Sequence, residues 1–177
     1  VANAEVTVQL PDAVVVVAIE ERVPILAWQV GDTRYLADRE GTIFATAPDG
    51  DPLPTGVAVI EDRRVGADAT LAVGTTLDVV DLDVATRLGS LTPDDVGSAV
   101  TRLKVAVTDD DGFIVNAPGS WTAVFGFYSP STRATDMIPG QVRLLRSLLA
   151  GGEGTLTRII LASESGGTYV PKPTRKP

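Results

Sequence analysis

RLKVAVTDDDGFIVNAPGSWTAVFGF, residues Arg102 to Phe127, is the stretch on which the fold turns. Arg102 to Val107 reads as a strand. Asp109-Asp110-Asp111-Gly112 reads as a hairpin turn, because Asp-Gly supplies the positive φ that tight hairpin turns demand. Phe113 to Asn116 returns, Pro118-Gly119 turns again, and Trp121 to Phe127 makes a third strand. Trp121, Phe125 and Phe127 alternate on one face, which predicts a core position for all three, and Trp28 reads the same way. The stretch is therefore a three-stranded antiparallel meander.

Downstream, Val142, Leu145, Leu148 and Leu149 form an apolar stripe with Arg143 and Arg146 facing away, which predicts a helix over about Pro139 to Ala150. Asp136 and Pro139 favour its start and Gly151-Gly152 its stop. Thr155 to Ala162 reads as a strand, Ser163 to Gly167 as a turn, and Thr168 to Val170 as a short closing strand. Residues 172–177 are a basic, proline-rich tail.

Upstream, Val6, Val8 and Leu10 alternate with polar residues, Pro11-Asp12 turns, and Val14 to Arg22 resumes as a strand. Val23 to Val30 continues it past Pro24, which has no N–H for a ladder and so marks an edge, a bend or a joint. Tyr35 to Asp38 and Thr42 to Ala45 pair as short strands; residues 46–56 are loop by composition, and Val57 to Ile60 is a further short strand. Asp81 is the expected cap of a short helix carrying Leu82, Ala85 and Leu88 and ending at Gly89. Thr92-Pro93-Asp94-Asp95 opens another, cut short by Gly97. The sum is an α+β fold: a mostly antiparallel sheet, short middle helices and one C-terminal amphipathic helix.

Composition narrows function by exclusion. The chain of 177 residues contains no histidine and no cysteine, which removes histidine-based triads, cysteine nucleophiles, ordinary zinc sites, iron–sulfur clusters and disulfides. A net charge of −8 disfavours nucleic acid as a partner. The apolar run Val14 to Ile19 falls far short of the about 20 residues a membrane-spanning helix needs. No signal peptide is visible, and a chain that opens on a valine within a strand reads as a fragment.

Each chemical motif has a plainer explanation beside it. Asp109 to Asp111 lacks an acidic residue at position 107, which is Val107, so the triplet reads as a solvated turn and no calcium loop. Asp78, Asp81 and Asp83 are accounted for by capping and the helix dipole. Gly151-Gly152-Glu153-Gly154 follows a helix instead of opening one, so it is no phosphate cradle. Ser163 and Ser165 have no histidine and no suitably spaced lysine. No metal and no cofactor is expected. What remains is residues 155–171, apolar at Leu156, Ile159, Ile160 and Leu161. If this segment is an edge in space, its unpaired backbone groups are a template for another strand.

Several motifs together resemble the bacterial cell-division family FtsQ/DivIB. They are Val1-Ala2-Asn3-Ala4-Glu5-Val6; Leu10-Pro11; Val15 to Ile19; Glu21-Arg22-Val23-Pro24-Ile25-Leu26-Ala27-Trp28; the hairpin Tyr35-Leu36-Ala37-Asp38 with Gly41-Thr42-Ile43-Phe44; Leu53-Pro54-Thr55-Gly56; Trp121 to Gly126; and Tyr169-Val170-Pro171. The resemblance spans nearly the whole chain, apart from residues 57–100, and rests mostly on the Glu-Arg-x-Pro block and the Asp-x-x-Gly hairpin. It implies that residues 1–22 end a truncated POTRA domain, that 23–171 form the β domain, and that 172–177 are a tail. It implies a non-enzymatic scaffold on the outer side of the cytoplasmic membrane, anchored by a single-pass segment outside this sequence. Its partners would be FtsB/DivIC-like and FtsL-like coiled-coil proteins, one of which adds a strand beside the last strands. The implied surface is Ile159, Leu161, Ser163, Ser165, Gly166 and Tyr169. Where some members carry an aromatic before the Ser-Gly pair, this chain has Ser163 and Glu164. Two other classes compete: a secreted or surface carbohydrate- or protein-binding β module, and a hydrolase working with carboxylates alone.

Overall fold

The computed structural model describes residues 1–9, 14–131 and 133–173. The expected turn at Pro11-Asp12 and the last four tail residues lie outside the described residues. Two sheets form. β1 (Asn3–Gln9) and β2 (Val14–Glu20) pair antiparallel as a ribbon of their own. The other nine strands make one mixed sheet: β3 (Leu26–Val30), β4 (Thr33–Ala37), β5 (Ile43–Pro48), β6 (Ala58–Asp62), β7 (Lys104–Thr108), β8 (Gly112–Ala117), β9 (Trp121–Gly126), β10 (Leu156–Leu161) and β11 (Gly167–Pro171). Their spatial order is β11-β10-β9-β8-β7-β6-β3-β4-β5. Helix α1 (Val79–Gly89) links β6 to β7, and α2 (Ile138–Ala150) links β9 to β10. Both of those strand pairs are parallel, as is β3 with β6; the other neighbours are antiparallel. A parallel pair needs a long crossover, and a helix supplies it at two of the three. The protein is thus α+β, with a mainly antiparallel sheet and two helices.

Both helices cover the same face. Val84, Ala85 and Leu88 of α1 and Ile138, Leu145 and Leu149 of α2 join Trp28, Ile60, Phe113, Val115, Trp121 and Phe125 in one core. Each such aliphatic side chain contributes about 1.5–3 kcal/mol on burial. One register row crosses that face from rim to rim: Thr46, Tyr35, Trp28, Ile60, Val105, Val115, Ala123, Ile159 and Tyr169. The opposite face carries a second, small buried cluster, Ala106, Ile114 and Val124. An ion pair 2.5 Å long joins Arg158 on β10 to Asp111 in the β7–β8 turn.

The meander forms as expected. Gly112 has φ 64°, and a Cβ there would fall on the Gly126 backbone, so the position requires glycine twice over. Four expectations are corrected. β5 runs on through Thr46 to Pro48, because Tyr35, Arg34 and Thr33 offer a ladder that loop-like composition does not reveal. The cap of α1 is Asp78, which accepts the Val80 and Asp81 N–H groups at 2.8 and 3.2 Å; Asp81 lies inside the helix. Thr92 and Asp95 make the reciprocal capping contacts, but Gly97 turns to φ 65° and the segment remains a turn. Phe127 is 55% exposed, because Gly126 at φ 91° interrupts the alternation that places Trp121 and Phe125 inside.

Candidate partner-binding edge

β10 is laid down by Leu156, Ile159 and Leu161, which point into the core beneath α2, with a bulge between Leu156 and Arg158. Ser163 then closes a tight turn. Its N–H donates to the Gly166 carbonyl at 2.9 Å, and its Oγ accepts the Gly166 N–H at 2.9 Å. Glu164 packs against Gly140 in the first turn of α2, where any larger residue would collide with it. Gly167 lies so close to the Ile160 carbonyl that a Cβ has no room. The chain returns as β11, held by Thr157 Oγ1 donating to the Val170 carbonyl at 3.0 Å and by the Lys172 N–H donating to Thr155 at 2.7 Å.

β11 is the last strand of the sheet; β10 is its sole strand partner among the described residues, and all five of its residues are exposed. One row of its backbone donors and acceptors therefore faces outward. Tyr169, 57% exposed, extends the core row towards a recess of about 250 Å³ formed with Leu148, Leu156 and the end of α2. Val170 stands on the other face beside Arg158, with Ile160 one step further along β10; both Val170 and Ile160 are exposed.

The footing of this rim is polar and buried. Gln141, fully buried in α2, donates through Nε2 to the Phe125 carbonyl at 3.2 Å and the Leu161 carbonyl at 2.8 Å. One amide thus ties the ends of β9 and β10 together. The Tyr128 hydroxyl donates to Gln141 Oε1 at 2.6 Å, and burial pushes that phenol up to about 12. The Arg133 guanidinium bonds the Leu161 carbonyl and stands 5.4 Å from the Tyr128 ring centre. At the other end, Glu153 accepts from Ser98, from the Ala99 N–H at 3.0 Å and from Trp121 Nε1 at 2.8 Å. Burial pushes the Glu153 carboxyl up, but these donors outweigh it and hold the group below its ordinary range.

Of the expected surface residues, Ile159 and Leu161 are corrected. They are 0% and 1% exposed, one strand in from the rim, and belong to the core. Ser163 and Gly166 are half-buried and shape the turn, while Ser165 and Tyr169 are exposed. Ile160 and Val170, which the implied surface did not include, are exposed on the other face of the rim; period-two alternation about Ile159 signals the first.

The other acidic groups are engaged by partners of their own, Asp62 and Asp81 sharing Arg64. Asp78 caps α1, and Asp83 bonds Arg87 and Thr135. Asp81 meets Arg64 at 2.9 Å, and burial nevertheless holds its carboxyl above its ordinary range. Asp109 accepts the Val65 N–H at 2.8 Å. Arg64 also pairs with buried Asp62 at 2.8 Å, and Trp28 Nε1 donates to Asp62 at 3.0 Å. None of the described helices is long and apolar enough to cross a membrane. No protein-family model matches the chain, and no curated protein matches it.

Proposed function

We propose that this chain is a non-enzymatic cell-division scaffold of the FtsQ/DivIB kind, and that a coiled-coil division partner of the FtsB/DivIC or FtsL type adds a strand along β11. On this reading residues 1–22 are the closing strands of a POTRA domain, 23–171 are the β domain with α2 as its amphipathic helix, and 172–177 are a tail. The domain works on the outer face of the cytoplasmic membrane, carried by a single-pass anchor elsewhere in the protein.

The observation that supports the reading best is the outer side of β11: five exposed residues with strand pairing on one side only. Main-chain hydrogen bonds supply affinity in such an arrangement, and alternate side chains supply specificity. Tyr169 on one face and Val170 on the other are the side chains placed to be read. The test mixes this chain with the extracytoplasmic segments of the two coiled-coil partner types and follows β11 amide exchange. Binding with slowed exchange at Thr168 to Val170, lost in Tyr169→Ala/Val170→Asp, is the expected result. Binding that survives in the folded variant removes the edge assignment, and no binding by the parent chain removes the family reading.

A further inference from the structure

The β1–β2 ribbon contributes no residue to the core of the large sheet. Its strands are exposed along their whole length. Its seat therefore depends on the few residues between Glu20 and Leu26. On the sheet side that segment is fixed, since the Ile25 N–H donates to Ala37 at 3.0 Å and the Ala58 N–H to Ile25 at 3.3 Å. On the ribbon side the Ala2 N–H donates to Glu20 at 2.6 Å. Between the two lies a cleft of about 460 Å³.

Among the described residues, one ion pair reaches from the connecting segment into the sheet: Arg22, two residues beyond β2, pairs with Asp38 Oδ2. Asp38 is 4% exposed, and its other oxygen accepts the Glu40 and Thr42 N–H groups at 3.1 and 2.9 Å, which shapes the β4–β5 turn. The turn thus uses one oxygen and leaves the second, buried, in need of a cation from elsewhere. Arg39, the other cation lining the cleft among the described residues, is paired with Glu40 at 2.5 Å. Without Arg22 the cleft would hold Glu20, Glu21 and Asp38 with only Arg39, itself paired with Glu40, as a nearby cation, and a buried carboxylate without its ion-pair partner and with like charges nearby favours opening.

We infer that the Arg22–Asp38 pair is a latch that fixes the direction of the ribbon relative to the nine-stranded sheet, so that the two move as one body while it is closed. This stands whether or not β11 takes a partner. It also joins the Glu-Arg-x-Pro block to the Asp-x-x-Gly hairpin as two halves of one joint, with Pro24 stiffening the short path between them.

The chain has no cysteine of its own, so spin labels at Thr7→Cys and Ala150→Cys report a single ribbon-to-sheet distance. The parent is expected to give one narrow distance distribution. Arg22→Gln is expected to lose that narrow peak while circular dichroism shows the large sheet still folded, and Arg22→Lys, which keeps a cation within reach, retains it. Asp38→Asn keeps the acceptor for Glu40 and Thr42 but removes the charge, so it broadens the distribution as Arg22→Gln does. A narrow distribution that persists in both neutral variants, or a parent that is already broad, overturns the latch.

Discussion

Along β5, one rim of the large sheet, the segment Gly74 to Leu77 lies against the outer side. The Ile43 N–H donates to Thr75 at 2.9 Å, the Gly74 N–H to Ile43 at 2.7 Å and the Leu77 N–H to Gly41 at 3.0 Å, with Thr42 bridging Thr76. The far end of that strand is Pro48, which has no N–H to offer, and Arg34 ties the adjoining turn through Asp49 at 2.5 Å. Along β11, the opposite rim, no strand among the described residues does the same. Natural sheets blunt their edges by such means because an unpaired edge recruits other chains. The two rims thus differ: at the start of β5 the stretch Gly41 to Ile43 is paired on its outer side, whereas on the outer side of β11 no strand pairs among the described residues.

The strongest way to break that contrast is to loosen the cover. The β6–α1 crossover that carries it is pinned at both ends by Arg64, which holds Asp62 and Asp81 and stands 5.8 Å from the Trp28 ring centre. Arg64→Gln strands a buried carboxylate, so urea unfolding should register a loss of about 3 kcal/mol. Amide exchange at Ile43 and Gly74 should quicken in the same variant, and the β5 rim should become prone to self-association. Comparable in size is Leu161→Ala, expected to cost about 2–5 kcal/mol in the same assay because it hollows the core behind the open rim.

A smaller effect comes from acid. Glu153 anchors the start of β10, and its folded pKa is depressed, so its contribution is complete above the ordinary carboxylate value of about 4.5 and is lost as pH falls through the folded value. The parent should therefore lose stability more steeply than Glu153→Gln in that acid range, as denaturation at stepped pH will show. Least of all, Tyr169→Ala should shift stability by no more than about 0.5 kcal/mol, as surface changes usually do, while removing partner binding. A large stability loss in that variant would mean that the rim is structural.

The meander was legible because Asp-Gly and period-two alternation act between neighbours, and the stripe from Val142 to Leu149 was legible for the same reason. What escaped depends on distance in sequence. Asp62, Arg64 and Asp81 meet through the β6–α1 crossover, and Gln141 reaches carbonyls on two strands; no local pattern announces either. Phe127 was misplaced by one torsion, at Gly126. That β11 is an edge could not be read at all, since chain order does not give spatial order. Here β3 neighbours β6 and β9 neighbours β10 only because loops and α2 carry the chain across. Thr92 to Gly97 shows the converse, a complete start signal defeated by the residue that follows it.

The β9–β10 junction has a mechanical consequence. Only Arg158, Ile159 and Ile160 align there, with Thr122, Ala123 and Val124, whereas β11 matches β10 over five pairings. A tug transmitted through a chain docked on β11 would reach this short seam before the rest of the sheet. The β10–β11 hairpin would then peel off as a unit, and the Gln141 side chain, stitched to both lips of the seam, would be the rivet that decides at what tension it gives.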